Sequence, residues 1–128
     1  MNWYLQAIKK YIVFEGRARR AEFWWFMLIN SIISSIIQMF DYRIIRETEL
    51  AQIQIGVIGM IYGFFIFLPQ LAVTVRRLHD INKSGWFCLL FFVPCVGPII
   101  LLIMMILKGT DGANAFGEDP LAVESASE

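Results

Sequence analysis

Three stretches of the chain contain no Asp, Glu, Lys or Arg: residues 23–40, 50–75 and 84–107. They are 18, 26 and 24 residues long, 68 of 128 residues in total. An α-helix rises about 1.5 Å per residue and a bilayer's hydrocarbon core is about 30 Å thick, so roughly 20 apolar residues cross it. Three such runs in a chain this short predict an all-α integral membrane protein. The expected fold is an N-terminal amphipathic surface helix followed by three transmembrane helices. Residues 1–120 form one membrane domain in this reading, and 121–128 a disordered acidic tail. With 58% hydrophobic residues, the chain falls outside the disordered class. Eleven basic residues balanced by 11 acidic ones argue against nucleic acid as a partner.

Each span carries a polar or small-residue face. In the first, 23–40, Asn30, Ser34 and Gln38 are four apart and share one side of a helix. Lipid cannot satisfy such groups, so this face is expected to pack on other helices; a polar path is the other reading. In the second, about 53–75, Gly56, Gly59, Gly63, Gln70 and Thr74 fall near one stripe. Gly59 and Gly63 form a G-x-x-x-G step suited to close helix approach, and Gln70 and Thr74 can reach the first span. Pro69 is expected to bend this helix. The third span, 86–107, is interrupted by Pro94, Gly97 and Pro98 and is read as a single span kinked at Pro94 and Pro98. A re-entrant hairpin is the alternative, disfavoured because 86–93 is too short to cross.

Lys and Arg collect on cytoplasmic loops. Lys9, Lys10, Arg17, Arg19 and Arg20 precede the first span, and Arg76, Arg77 and Lys83 follow the second. These 8 of 11 basic residues place the N-terminus in the cytoplasm and, with three spans, the C-terminal tail outside. The first span reads as a retained signal anchor, without a cleavage site. Residues 3–14 carry Tyr4, Ala7, Ile8, Tyr11 and Ile12 at helical spacing, with Gln6, Lys9 and Lys10 opposite. That pattern suits a helix lying on the inner membrane surface or packed on a partner. Trp3, Trp24, Trp25 and Trp86 all fall near that surface, as an aromatic belt.

The segment 76–86, RRLHDINKSGW, is the densest polar cluster and holds the only His. His79 beside Asp80 suggests a base or a metal ligand. A metal needs three or four ligands and no second His or nearby Cys is at hand, so no metal or cofactor is expected. The preferred reading is structural. Arg76 and Arg77 end a helix, Asp80 pairs with an arginine, and Ser84 or Asn82 caps the next helix. In 14–22, Arg17, Arg19 and Arg20 suit anionic lipid headgroups, and Glu22 suits a partner such as Arg19 or Arg76. An anionic ligand held jointly by these residues, Arg76, Arg77, His79 and Asp80 is the sharper alternative. Cys88 and Cys95 read as small apolar fillers on one helix. The tail 109–120 offers several oxygens but no EF-hand spacing; a turn that packs Phe116 on the membrane surface is expected.

GRARRAEFWWF at 16–26, RRLHDINKSGW at 76–86, PCVG at 94–97 and GTDGANAFGEDP at 109–120 resemble the bacterial inner-membrane family catalogued as domain of unknown function 805. The likeness runs from about Trp3 to Pro120. It implies a small multi-pass protein of the bacterial cytoplasmic membrane and no catalytic residues. The expected function is a non-enzymatic structural or modulatory component of a membrane assembly, formed with copies of itself or other membrane proteins. The alternatives are a homo-oligomeric transporter or channel for a small solute, and a lipid-handling enzyme using His79 and Asp80.

Overall fold

A computed structural model describes residues 3–47 and 56–127; the expected start of the second span, 53–55, lies outside them. The described residues are helical, with no strand among them. In order they form α1 (Trp3–Lys9), α2 (Arg20–Glu47), α3 (Val57–Asp80), a 3-10 helix (Gly85–Phe92), α4 (Val96–Ile106) and α5 (Pro120–Ser127).

Among the described residues, α2 and α3 are the two helices long and apolar enough to cross a membrane. α2 has 28 residues and outruns the expected 23–40 at both ends. A charged residue bounds an apolar run without ending helical hydrogen bonding, so the helix continues through Asp41, Arg43 and Arg46 to Glu47. The pair is antiparallel. Glu22 meets Arg76 at one end, called here the near end. Asp41 meets the first turn of α3 at the other, the far end. The core gathers Ala7, Ala18, Phe23, Phe26, Val73, Leu78, Met104 and Met105, most of it toward the near end. Away from it, Phe64, Phe65 and Phe67 of α3 point outward.

The third charge-free run is not one kinked helix. It is two short arms that turn back on each other. The chain leaves α3 at Asp80, with Ser84 capping the 3-10 helix by accepting from the Trp86 N–H at 3.4 Å. Gly85 lies against Val75, where a Cβ would sit 2.7 Å from Cγ1. Pro94 has no N–H to offer the carbonyl of Phe91, so the 3-10 helix ends. Cys95 takes a positive φ of 65° and the chain reverses. Gly97 then packs on the carbonyl of Leu90, a place no side chain could occupy. α4 runs back until Arg77 Nε donates to the carbonyl of Met105 at 3.3 Å and its Nη2 to that of Leu107. The Thr110 N–H closes the return by donating to the Asp80 carbonyl at 2.7 Å. Eight residues at about 2.0 Å and eleven at about 1.5 Å each give about 16 Å, so the arms match and reach about half the depth of a hydrocarbon core.

This hairpin returns the tail to the near end, not to the opposite one. Residues 121–127, expected to be disordered, lie in α5. Asp119 caps it, its Oδ1 accepting from the Leu121 N–H at 3.0 Å, with Pro120 at the first helical position. The surface helix is shorter than expected, ending at Lys9 rather than residue 14. Tyr4, Ala7 and Ile8 of its apolar face pack into the chain's own core, with Tyr4 stacked on Phe26 at 5.6 Å.

Candidate functional site

Three sequence-distant segments meet at the near end: the turn before α2, the last turn of α3 and the tail after α4. Their common member is Asp80. Its Oδ1 accepts from Arg17 Nε at 3.0 Å, and its Oδ2 accepts from Arg77 Nη1. Both guanidinium groups are then used up by backbone carbonyls. Arg17 Nη1 donates to Gly112 at 2.6 Å and its Nη2 to Thr110. Arg77 takes Met105 and Leu107. Arg76 lies alongside with Nη1 on Glu22; its Nε and Nη2 meet no acceptor among the described residues. Arg76 and Arg77 are fully buried, and Arg17, Glu22 and Asp80 nearly so.

Burying five charges is unfavourable unless each is paired and its remaining hydrogen-bonding capacity met. Asp80 alone satisfies two arginines, and the arginines in turn hold the turn-rich tail. Arg17 can therefore reach 95 residues along the chain, to Gly112, because the hairpin brings that segment back.

His79 stands at the edge of this cluster. Its Nδ1 lies 3.0 Å from the Gly16 carbonyl, and its ring stacks on Phe116 at 4.1 Å with planes 2° apart. Asn114 Nδ2 donates to the His79 carbonyl at 2.9 Å. Phe116, expected on the membrane surface, is the lid over the imidazole. The tail folds back through a paired bridge between Asn114 and Gly117, and Asp119 Oδ2 accepts from the Gly112 N–H at 3.0 Å. Those two backbone N–H donors, Leu121 first and Gly112 second, hold the Asp119 carboxyl below the usual carboxylate range.

Of the seven basic-cluster candidates, Arg17, Arg76, Arg77, His79 and Asp80 come together. Arg19 and Arg20 do not join them. Arg19 pairs with Glu124 of α5 and lies 4.9 Å over the Trp3 ring. Arg20 is exposed, its Nη1 donating to the Ile106 carbonyl at 3.4 Å beside a groove lined by Trp24, Trp25 and Leu28.

The packing candidates divide in a similar way. Asn30 Oδ1 accepts from the Tyr62 hydroxyl, and Gln70 Nε2 lies 2.9 Å from Met27 Sδ, so both bridge α2 and α3. Thr74 instead bonds the Gln70 carbonyl on its own helix at 2.8 Å. Ser34, Gln38, Gly56, Gly59 and Gly63 line an open groove of about 660 Å³ between the far halves of α2 and α3. Gly63 has nothing near its missing Cβ, so the G-x-x-x-G step does not pack these two helices.

Gly56 and Gly59 have another cause. A Cβ at Gly56 would overlap the Asp41 carboxylate, and one at Gly59 would stand 3.0 Å from its Oδ2. Asp41 enters that space and accepts from the N–H groups of Ile58 at 3.2 Å and Gly59 at 2.6 Å. It is a side-chain cap supplied by a different helix, placed where the α3 macrodipole favours negative charge. The sequence reading missed Asp41 because it closed the first span at Phe40. The signal was present: an acid one residue past a span, facing glycines on the next.

The family described as Protein of unknown function (DUF805) matches residues 11–118. Inner membrane protein YhaI of Escherichia coli (strain K12) is 45% identical over 120 residues, covering 94% of this chain and 96% of the relative. Inner membrane protein YhaH of the same strain is 41% identical over 120 residues, covering 94% and 97%. No solved structure matches the chain. The matched region contains every residue of the near-end cluster.

Proposed function

The chain belongs to the DUF805 family and is a multi-pass protein of the bacterial inner membrane, and from that premise we propose that it is a non-enzymatic structural or modulatory component of a membrane assembly. The observation that carries this reading is the mutual satisfaction of Arg17, Arg77 and Asp80 at the centre of the polar cluster. Arg17, Arg77 and Asp80 are spent on one another and on tail carbonyls, and the His79 ring is stacked and bonded through Nδ1. A catalytic pair needs a group free to reach a reacting atom. Here Arg17, Arg77 and Asp80 are fasteners. They hold a short hairpin and a tail to the end of a two-helix unit.

In this reading α2 and α3 cross the bilayer, and the 3-10/α4 hairpin enters from the near end and leaves by it. The near end is cytoplasmic. The hairpin places Lys108 beside Lys9, Lys10, Arg17, Arg19, Arg20, Arg76, Arg77 and Lys83, so 9 of 11 basic residues share that side. α5 then lies in the cytoplasm, and α1 is an interfacial helix whose aromatic face is covered by α2. The exposed Trp25 and Trp86 fit the headgroup level of the same face. Conduction by a single copy finds less support, because the polar groove occupies only the far half of the α2–α3 pair.

The test joins topology to particle size. A reporter fused after Glu128 that is active only in the cytoplasm is expected to give signal, and its counterpart active only outside to stay silent; the reverse overturns the two-crossing arrangement. Extracted in a mild detergent, the protein is expected to run as a particle larger than one 14.8 kDa chain with its bound detergent. A solely monomeric particle would sink the assembly reading.

A further inference from the structure

We infer that the turn of the re-entrant hairpin docks into the α2–α3 groove of a second copy of this chain. The inference rests on the two-crossing arrangement proposed above and identifies the partner within the assembly.

The turn has unmet needs at membrane depth. The carbonyls of Phe91 and Phe92 accept no hydrogen bond among the described residues, since Pro94 lacks an N–H and the Val93 N–H goes to Leu90. Pro94, Cys95 and Val96 are exposed. Irregular backbone is not left facing lipid within the hydrocarbon region; it is buried in protein or lines a wet cavity. Acyl chains offer no donors, so lipid does not meet this need.

The groove has the complementary surplus. The Ser34 hydroxyl and the Gln38 amide line it, and neither has a hydrogen-bond partner among the described residues. Ser34 shows part of its surface, and Gln38 and Gly63 are exposed. Gly63 adds no bulk to the groove wall, so an incoming backbone can approach closely. Ser and Gln both carry donors suited to free carbonyls.

The turn also reaches the depth of Ser34, with Gln38 about one to two helical turns deeper along the same groove. Taking the Glu22–Arg76 ion pair as the reference level, Ser34 is 12 residues along α2 and Gln38 is 16, about 18 and 24 Å inward. The hairpin starts from the same level, beside Val75 and Arg77, and reaches about 16 Å inward. Within one copy the hairpin does not line the groove. A twofold arrangement lets each copy insert its turn into the other's groove, which leaves neither surface open.

The native Cys95 makes this testable in intact membranes. Two differently tagged chains, both Cys88→Ala, are co-expressed. One keeps Cys95. The other carries Cys95→Ala with Gln38→Cys, or with Ser34→Cys in case the first substitution perturbs the helix. A short bifunctional thiol reagent is expected to give an adduct bearing both tags. Its yield should be at least about tenfold above that of a matched chain carrying Phe64→Cys, which projects outward from α3. With the Glu128 reporter cytoplasmic, no excess at either groove position overturns the docking proposal and leaves the topology standing. With the reporter outside, both fall together.

Discussion

The two ends of the α2–α3 pair handle polar groups in opposite ways. At the near end, Arg17, Glu22, Arg76, Arg77 and Asp80 are buried and satisfied largely by one another and by carbonyls of the same chain. At the far end one carboxylate, Asp41, grips the first turn of α3, and the polar groups beside it face an open groove. The difference separates two jobs. A network satisfied largely from within fixes the chain's own path. An open polar surface in a medium without water needs something else to close it. The near end is thus read as the fastening of the fold, and the far half as the surface offered to a partner.

Removing Asp80 breaks this contrast most severely. Asp80→Ala strips the shared acceptor from Arg17 and Arg77, leaving two buried guanidinium groups without a counter-charge. Breaking a buried pair by deleting one partner costs about 3–5 kcal/mol. The expected result is a large drop in the thermal unfolding midpoint in detergent, with protease cleavage appearing first between Lys108 and Pro120. An unchanged midpoint would mean that Asp80 does not fasten the hairpin and tail.

How much of this was legible before the structure follows from the same contrast. Charge-free runs mark where a helix can lie in lipid, so α2 and α3 were readable, as was the gathering of basic motifs on one side. The third run misled because its length counts both arms of the hairpin. The readable sign was the position of the break: Pro94 leaves 8 residues in one arm, and 11 lie in the other, so neither crosses but the two can return together. Asp80 pairing with an arginine was legible from adjacency on the helix. Its bond to Arg17 was not, because no local pattern encodes a contact 63 residues apart. Asp41 was hidden by ending the span at the first charge. Gly56 and Gly59 read as helix-packing glycines, although they make room for a carboxylate. Asp119-Pro120 carried a helix-start signature that the acidic, small-residue composition of 121–128 obscured.

Asp41→Ala tests the far end on a smaller scale. It removes a helix cap, which is worth about 0.5–2 kcal/mol, and it leaves no buried cation unpaired. The unfolding midpoint should fall by clearly less than in Asp80→Ala, with fraying confined to the start of α3, read as faster amide exchange at Ile58 and Gly59. A loss equal to that of Asp80→Ala would erase the distinction between the two ends.

The smallest effect is expected from acid, and it sharpens the picture of the near end alone. Asp119 is half-buried, and its carboxyl is held below the usual range by the N–H groups of Leu121 and Gly112. A carboxyl whose folded value is depressed stabilises the fold in full above its unfolded value, about pH 3.9. That contribution is lost as pH falls through the lower folded value. The tail should therefore hold through neutral and mildly acidic conditions and loosen below about pH 4. Pepsin, active in that window, reports the change as a rise in cleavage near Phe116 and Leu121 before the helices unfold. The comparison is made with Asp119→Asn. Its amide oxygen still caps α5 but carries no proton to gain, and the part of the rise due to Asp119 should vanish. A pH profile identical in both proteins would show that Asp119 is not the group whose protonation loosens the tail.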